Sequence, residues 1–461
     1  MATQKLTAII LAAGKGTRMK SPLPKVLHPV AGRPMIERVI EAAVGAGATD
    51  IRVVVGHGQN LVRQVVEPLG ANCFVQSEQM GTAHAVQSAR VEDIEGDVLI
   101  LNGDHPLLIP EDLKTVLKNF RETQADLAVV TCEMDQPGSF GRIVRHHGAV
   151  KAIVESKDAS AETLKIREIN TGVYVTSADV LQELLPRIRP LNKQKELYLT
   201  DLVSLCVEDQ RKVEGILAHE DIACGVNSQS ELAQATRRVF LRKVSSLMDA
   251  GVIIIDPEKT YVEDSVDVGP GSVIYPNVFL RGRTQIASFC VLEPNVMIID
   301  SALGESTQVR MGSYFEKVQV GKKCFIGPYA RLRPDTVVGD EAHIGNFVEL
   351  KKVKFGPRSK ANHLAYLGDA EIGEDVNIGC GTITCNYAVD RKKYKTKIGD
   401  RVFVGSDTQF VAPVEIGEEA IIGSGSTITK NVPAGALAVV RGELRVSEGY
   451  VQRLKKKMEG R

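Results

Sequence analysis

The spacing of hydrophobic residues changes about halfway along the chain. In the first half, apolar runs typical of buried strands lie at Thr7–Leu11, Ile51–Val55, Val98–Leu101 and Leu127–Thr131. Helical patterns such as Met35–Val44 and Leu113–Glu122 lie between these runs. This alternation predicts an α/β domain with a Rossmann-like, doubly wound sheet of parallel or mixed strands. Such sheets bind their ligands at the carboxyl ends of the strands.

A change of pattern follows this first half. Residues Gln229–Ala250 predict one helix, with Ser228 as its N-cap and Gly251 as its stop. We therefore predict a first domain over 1–227, a helical arm over 228–250 and a second domain over 251–461.

The second domain repeats every six residues. Aliphatic or aromatic residues keep this spacing in three runs: Val262, Val268, Ile274, Leu280, Ile286, Leu292 and Ile298; Ile326, Leu332, Val338, Ile344 and Leu350; and Ile398, Val404, Phe410, Ile416, Ile422 and Ile428. Hexapeptide repetition predicts a parallel β-helix, whose stacked coils bury a narrow core. The gaps near Leu303–Val318, Lys352–Leu364 and Ala388–Lys397 are predicted to be loops that leave the β-helix, where function is often placed.

Composition narrows the class of protein. Hydrophobic residues make up 43% and charged residues 25%, which fits a globular protein and excludes a disordered chain or a collagen. Lys+Arg and Asp+Glu are both 57, and this balance argues against a protein that coats nucleic acid. The eight cysteines show no CxxC spacing, which argues against a zinc site and favours reduced thiols in the cytoplasm. We find no apolar run long enough for a membrane span.

The first predicted strand runs into a glycine-containing loop. Gly14 and Gly16 predict a tight turn whose N–H groups face a phosphate, and Arg18 and Lys25 add positive charge. Neither the third glycine of a dinucleotide loop nor the Gly-Lys-Ser/Thr of a P-loop is present. The longer string LAAGKGTRM, with Lys25 following, resembles the signature of sugar-phosphate nucleotidylyltransferases. Asp104 ends a later apolar strand and is well placed for Mg²⁺ beside phosphates.

Two cations in the repeat region predict a second site. Arg333 and Lys351 are three six-residue rungs apart, so they should stack on one wall of the β-helix, which suits a sugar phosphate. A solvated ladder of charges is the competing interpretation. His363 follows in the string ANHLAYLGDAEIG. Forming an amide from an amine requires a base, and histidine is suited to that task near neutral pH.

Together, both halves resemble, over nearly the whole chain, the bacterial bifunctional N-acetylglucosamine-1-phosphate uridylyltransferase / glucosamine-1-phosphate N-acetyltransferase family. The resemblance implies a left-handed β-helix, a cytoplasmic homotrimer, Mg²⁺ as cofactor, and glucosamine 1-phosphate, acetyl-CoA and UTP as substrates. It implies acetyl transfer first and uridylyl transfer second. The product would be UDP-N-acetylglucosamine for peptidoglycan and lipopolysaccharide precursors.

The resemblance also implies site residues. Around the nucleotide and sugar these are Leu11, Ala12, Ala13, Gly14, Lys25, Gln76, Gly81, Thr82, Asn102, Gly103, Gly141, Glu155 and Asn170, with Arg18 and Lys25 offsetting phosphate charge and Asp104 and Asn227 binding Mg²⁺. In the second site, His363 is the expected general base and Glu349 its orienting partner. Glucosamine phosphate would contact Arg333, Lys351, Tyr366 and Asn377. Acetyl-CoA would contact Cys380, Asn386, Tyr387, Ser406, Ser424 and Arg441.

Two other functions stay open at this point. One is a monofunctional sugar-1-phosphate nucleotidylyltransferase whose β-helix regulates or assembles the enzyme. The other is a non-catalytic scaffold subunit that keeps both folds. The polar residues of the predicted second site argue against the monofunctional enzyme, because a regulatory β-helix would not need them. The intact Gly14–Arg18, Lys25 and Asp104 set argues against the scaffold subunit.

Overall fold

The computed structural model describes residues 5–459. Contacts between residues divide the chain into two compact units, Met1–Val239 and Phe240–Arg461, which we describe separately. The division falls inside the long helix Gln229–Asp249. This helix confirms the one predicted at this point of the sequence. The predicted domain bounds at 227 and 251 stay a prediction. Within residues 5–459, no helix has the length and apolar character needed to cross a bilayer.

The first unit alternates strands and helices. Its strands are β1 (Leu6–Ala12), β2 (Pro29–Val30), β3 (Arg33–Pro34), β4 (Asp50–Val55), β5 (Asn72–Val75), β6 (Asp97–Asn102), β7 (Leu127–Glu133), β8 (Arg142–His146), β9 (Ala149–Val154), β10 (Glu168–Ser177) and β11 (Val213–Leu217). Its α-helices are α1 (Met35–Gly45), α2 (Gln59–Val66), α3 (Thr82–Gln87), α4 (Pro110–Thr123), α5 (Ala178–Leu184), α6 (Asp201–Glu208) and the start of α7 (Gln229–Asp249).

The main sheet is mixed. Its order is β11-β7-β10-β6-β1-β4-β5, with the β8–β9 hairpin attached to β10. Strands β4, β1 and β6 are parallel, whereas β10 runs antiparallel to both β6 and β7. The parallel strands are almost entirely apolar because helices cover both faces of the sheet. Their carboxyl ends therefore bring the residues after Ala12 and Asn102 to one edge.

The second unit is a stack of short parallel strands. They are β12 (Ile253–Ile254), β13 (Thr260–Val262), β14 (Asp267–Val268), β15 (Val273–Ile274), β16 (Val278–Arg281), β17 (Gln285–Ile286), β18 (Val291–Leu292), β19 (Met297–Ile299), β20 (Ala302–Leu303), β21 (Gln308–Val309), β22 (Tyr314–Glu316), β23 (Val318–Val320), β24 (Phe325–Ile326), β25 (Arg331–Leu332), β26 (Thr336–Val338), β27 (His343–Phe355), β28 (Lys360–Ile372), β29 (Asn377–Ile378), β30 (Ile383–Cys385), β31 (Thr396–Ile398), β32 (Phe403–Val404), β33 (Gln409–Val411), β34 (Val414–Ile416), β35 (Ile421–Ile422), β36 (Thr427–Ile428) and β37 (Leu437–Ala438); a last helix, α8, covers Tyr450–Glu459.

Most of these strands pair with the strand three places further along the chain, so three rungs make one coil and the predicted parallel β-helix is confirmed. Inward residues stack through successive coils in the column Ile274, Leu292, Val309, Ile326, Ile344, Ala361 and Ile378. These side chains are buried and belong to one continuous apolar core. The small cross-section of that core suits a chain whose aromatic content is 5%.

Two of the three predicted loops are wrong. Leu303–Val318 and Lys352–Leu364 remain inside the β-helix as ordinary rungs. The six-residue spacing breaks there because these coils are one residue shorter than three hexapeptides, as when Leu292 pairs with Val309 and Leu350 pairs with Leu367. The third interruption is a true loop, since Ile372 pairs directly with Ile398 and the residues between them leave the stack.

Candidate active sites in the two units

The first candidate site lies at the carboxyl ends of β1 and β6. Leu11 on β1 pairs with Asn102 on β6, and the Gly103 N–H donates to the Leu11 carbonyl at 2.9 Å. A Cβ at Gly103 would lie 2.7 Å from Cδ1 of Ile36 and 3.1 Å from the Leu11 carbonyl oxygen, so a side chain there would force Ile36 on helix α1 to shift. This packing fixes Asp104 beside the loop that leaves β1.

The glycine loop after β1 brings a lysine into the site. Gly16 is left-handed (φ 59°), and a Cβ there would lie 2.6 Å from Cβ of Lys25. Glycine is therefore required both by the backbone conformation and by the close approach of Lys25. Gly14 has open space around it, which leaves room for a ligand against the backbone.

Lys25 lies between the two predicted metal ligands. Its Nζ donates to Oδ1 of Asn227 at 2.6 Å and forms an ion pair with Asp104. Nη2 of Arg18 donates to the same Asn227 oxygen at 2.8 Å. Residues far apart in sequence thus aim two oxygen ligands at one cation, the ammonium of Lys25. Oxygen ligands of this kind suit Mg²⁺, so the residues fit the predicted ion.

The charge state of Asp104 agrees with its predicted role as a ligand of Mg²⁺. Burial alone would raise the pKa of its carboxyl, but attraction to Lys25 and hydrogen bonding outweigh burial and lower that pKa. Asp104 is therefore a carboxylate near neutral pH, with the charge needed to hold a metal ion.

The predicted nucleotide contacts gather around the loop before helix α3. Nε2 of Gln76 donates to the Gly81 carbonyl at 3.1 Å, and the Thr82 hydroxyl accepts the Leu199 N–H at 2.9 Å. Gly81 is left-handed, and a side chain there would collide with the backbone of Leu197. Nε2 of Gln79 bridges to the Ala13 carbonyl at 2.7 Å, which ties this loop to the glycine loop.

The predicted sugar contacts also come together. The Asn170 N–H donates to the Gly141 carbonyl at 2.9 Å, and a Cβ at Gly141 would lie 3.4 Å from Oε1 of Glu155. Asn170 in turn donates to the hydroxyl of buried Tyr174 at 2.7 Å. Burial raises the pKa of Glu155, although a hydrogen bond from Thr200 partly offsets this effect.

The second candidate site lies on one wall of the β-helix. The Arg333 N–H donates to the carbonyl of Leu350, so Arg333 stacks beside Lys351 in the next coil, as predicted. Lys351 pairs with Gly368, over which the Tyr366 hydroxyl lies. The structure thus brings Arg333, Lys351 and Tyr366 together.

Glu349 has a partner other than the expected one. Its Oε1 accepts a hydrogen bond from Nη1 of Arg333 at 2.8 Å, and among the described contacts none joins it to His363. His363 is exposed at a corner of the β-helix and pairs in register with Asn346. The contacts of Glu349 therefore favour a role in holding Arg333 in place. The predicted role of Glu349 in orienting His363 stays a prediction, because no described contact joins the two residues.

Sequence reasoning missed Lys393 at this wall. The nearby Lys351 ammonium lowers the pKa of Lys393 through a direct side-chain contact and like-charge repulsion. Lys393 lies in the hairpin of the true loop, where Tyr387 bridges to it. Two neighbouring ammonium groups attract an anion. No periodic signal could have located Lys393, because its loop interrupts the repeat.

Asn377 lies on a different face from the other sugar-phosphate residues. It pairs with Lys360 and Phe403, whereas Tyr366 pairs with Glu349 and Ile383 on the neighbouring face. Within one copy of the chain, the register therefore does not bring Asn377 to the wall of Tyr366.

The predicted acetyl-CoA contacts form an edge along the last coils. The Asp407 N–H donates to the Cys380 carbonyl, and Gly405 packs on Ser424, so exposed Cys380, Ser406 and Ser424 follow one another on successive coils. Asn386 is buried and donates to Asp369 at 2.5 Å, whereas Tyr387 is exposed. Arg441 lies in the exposed tail beyond the strands.

Comparisons with known proteins agree with both halves. Residues 8–169 match the MobA-like NTP transferase domain, residues 257–365 the GMPPB C-terminal domain, and residues 395–430 the bacterial transferase hexapeptide repeats. The chain thus combines a nucleotide-transferring α/β domain with a hexapeptide-repeat transferase domain.

Similarity over the full length is more specific. The chain is 64% identical to the "Bifunctional protein GlmU" of Bdellovibrio bacteriovorus over 96% of this chain and 97% of that protein. It is 46% identical to the protein of the same name from Pelobacter propionicus, over 98% of this chain and 100% of that protein. The chain belongs to the family of bifunctional GlmU proteins.

Proposed function

We propose that this chain makes UDP-N-acetylglucosamine by two reactions, one in each unit. The observation that carries the proposal is that each unit holds its own group of cations suited to a phosphate. These are Arg18 and Lys25 at the sheet edge, and Arg333, Lys351 and Lys393 on the β-helix wall. A β-helix that only regulated or assembled the enzyme would need no such second group.

In the first unit, the phosphate oxygen of N-acetylglucosamine 1-phosphate attacks the α-phosphorus of UTP, and pyrophosphate leaves. The attacking oxygen is already an anion, so the difficulty is to bring negative groups together in line. Lys25 and Arg18 offset this charge, and the Glu155–Asn170 region holds the sugar. Asp104 and Asn227 would hold Mg²⁺, which when bound supplies positive charge to the phosphates.

In the second unit, the amine of glucosamine 1-phosphate attacks the thioester carbonyl of acetyl-CoA, and CoA leaves as a thiol. His363 accepts the proton that the amine loses as the amide forms. Arg333, Lys351 and Lys393 bind the phosphate, and the edge of Cys380, Ser406 and Ser424 receives acetyl-CoA.

Assembly into a homotrimer belongs to the same proposal. Tyr329, Phe347 and Leu364 line one corner of the β-helix and remain 48%, 58% and 60% exposed. All three are left-handed, a conformation that costs about 1 to 3 kcal/mol for a side chain of this kind. A second copy seated on this corner would bury the three side chains beside His363.

A single reaction tests the two activities. The chain is mixed with glucosamine 1-phosphate, acetyl-CoA, UTP and Mg²⁺, and the products are followed by mass spectrometry. UDP-N-acetylglucosamine should form only when all four are present. If a nucleotide sugar forms only after N-acetylglucosamine 1-phosphate is supplied, the second unit is not an acetyltransferase. Light scattering of Phe347→Glu tests the trimer, since loss of the corner contact should give a smaller species.

A further inference from the structure

His105 is a buried polar side chain that neither proposed reaction uses. It directly follows Asp104 and is 5% exposed. Nδ1 of its ring lies 2.9 Å from the carbonyl oxygen of Ile222. Because a carbonyl only accepts hydrogen bonds, Nδ1 carries the proton, and Nε2 of the neutral ring is an acceptor.

That acceptor faces the side chain of Asn102. Nδ2 of Asn102 lies 3.4 Å from Nε2 of His105, so the amide donates to the ring. The same Nδ2 lies against the backbone of Gly172, which is left-handed (φ 81°) and leaves no space for a Cβ. The Gly172 N–H donates to Oδ1 of Asn170 at 3.0 Å. His105 thereby reaches the sugar end of the site through Asn102.

The other nitrogen of the ring fastens the loop that carries Asn227. This loop is anchored twice to the end of β6: the Ile222 carbonyl accepts from His105, and the Val226 N–H donates to the Asp104 carbonyl at 2.9 Å. Between these anchors, Gly225 lies against the ring, and a Cβ there would come 3.0 Å from Nε2. Asn227 is the next residue after the second anchor.

We propose that His105 is a positioning residue of the uridylyl site, which holds Asn227 opposite Asp104 with one ring nitrogen and orients Asn102 toward the sugar with the other. The inference rests on the proposed function for the identity of the sugar substrate. It assigns a role to contacts that link the metal end and the sugar end of one site. Partners of this kind behind a metal site typically change metal affinity or activity by about 10- to 100-fold when lost.

Three substitutions distinguish the roles of the two ring nitrogens of His105. His105→Phe keeps a ring of similar size and removes both hydrogen bonds. His105→Asn places an amide N–H near Nδ1, so it keeps the bond to Ile222 and loses the acceptor for Asn102. Gly225→Ala leaves the ring chemistry intact and pushes the loop away from it. His146→Phe, on the exposed end of β8, is the matched control.

The measurements are Mn²⁺ binding to the substrate-free protein by electron paramagnetic resonance, the KM for N-acetylglucosamine 1-phosphate, and acetyl transfer. We expect His105→Phe to weaken Mn²⁺ binding about tenfold and to raise the KM. His105→Asn should recover the Mn²⁺ affinity and keep the raised KM, whereas Gly225→Ala should weaken Mn²⁺ binding. Acetyl transfer should be unchanged in all variants, because it belongs to the other unit. A cooperative thermal unfolding transition in each variant shows that the first unit is folded.

The inference is overturned if His105→Phe has the parent's Mn²⁺ affinity and KM, even if its melting temperature falls, because that result indicates a purely structural role. It is also overturned if His105→Asn behaves like His105→Phe in both measurements. Mn²⁺ binding is measured without turnover. Failure of the parent chain to make UDP-N-acetylglucosamine would therefore count against the proposed function and leave the Mn²⁺ test of His105 in place.

Discussion

The two candidate sites are built in opposite ways. In the first unit, Lys25, Asp104 and Asn227 come from three distant segments that converge at a sheet edge, and their side chains already bond to one another. In the second unit, Arg333, Lys351 and Gly368 follow one another on successive coils, and His363 is exposed. The first site is organised before ligand binds, whereas the second is an open wall. In the first site opposite charges converge, whereas the wall places Arg333 and Lys351 on successive coils, with Glu349 bonded to Arg333.

The largest expected effect separates the two sites completely. His363→Ala should slow acetyl transfer by about 10²- to 10⁴-fold, because the amine loses its base. Uridylyl transfer should be unchanged, since His363 belongs to the other unit. The measurement is a separate assay of each half-reaction. His343→Ala, which removes an exposed histidine of β27, is the control and should leave both rates intact. Loss of both activities in folded His363→Ala would contradict the division into two sites.

The converse substitution should be almost as damaging. Lys25→Ala should slow uridylyl transfer by about 10²- to 10³-fold, because it removes the cation that faces Asp104 and the phosphates. Acetyl transfer by the same preparation should be normal. Lys118→Ala removes an exposed lysine of α4 and serves as the comparison. A Lys25→Ala enzyme with normal uridylyl transfer would show that the charge cluster is only structural.

A smaller effect distinguishes the two roles of Glu349. If its carboxylate supports Arg333, as their 2.8 Å contact indicates, Glu349→Gln should raise the KM for glucosamine 1-phosphate up to about tenfold, the scale of one ordinary hydrogen bond. The pH dependence of kcat for acetyl transfer should then be the same as in the parent chain. A displaced pH profile with an unchanged KM would instead restore the role of orienting His363.

The smallest effect concerns pH in the first site. Burial raises the pKa of Glu155, so its carboxylate takes up a proton at a higher pH than an ordinary glutamate. The pKa of Asp104 is lowered, so the metal end keeps its charge. On acidification, the KM for N-acetylglucosamine 1-phosphate should therefore rise before the KM for UTP does. The check is a pair of KM profiles against pH, and a simultaneous rise would remove Glu155 from the sugar contacts.

The same contrast explains what the sequence could predict. Strict spacing placed Arg333 beside Lys351, because a repeat converts residue number directly into position. The loops predicted at Leu303–Val318 and Lys352–Leu364 were wrong because a coil one residue shorter still stacks, and spacing alone cannot distinguish that from a departure. Lys393 lay outside the repeat and was missed for that reason.

In the first unit, the alternation of apolar strands and helices predicted which edge of the sheet holds the site. It did not predict the side-chain contacts that form there. Asp104 was located as a polar residue after an apolar strand. The bond from Lys25 to Asn227 depends on how the loop before α7 folds back onto β6, and no local pattern encodes this. The role of His105 was also missed, because a histidine after a strand carries no signal until its two ring nitrogens are seen to have partners.

The shorter coils have a consequence for how this protein tolerates insertions and deletions. Ile286 and Leu303 are neighbours in the stack although one residue is missing between them relative to three full hexapeptides. A single-residue gain or loss at a corner is therefore absorbed within its own coil, and every later rung keeps its neighbours. Evolution or a protein engineer could lengthen or shorten the β-helix by whole coils, moving the ends apart in steps of about 4.8 Å, while the wall that binds the sugar phosphate stays intact.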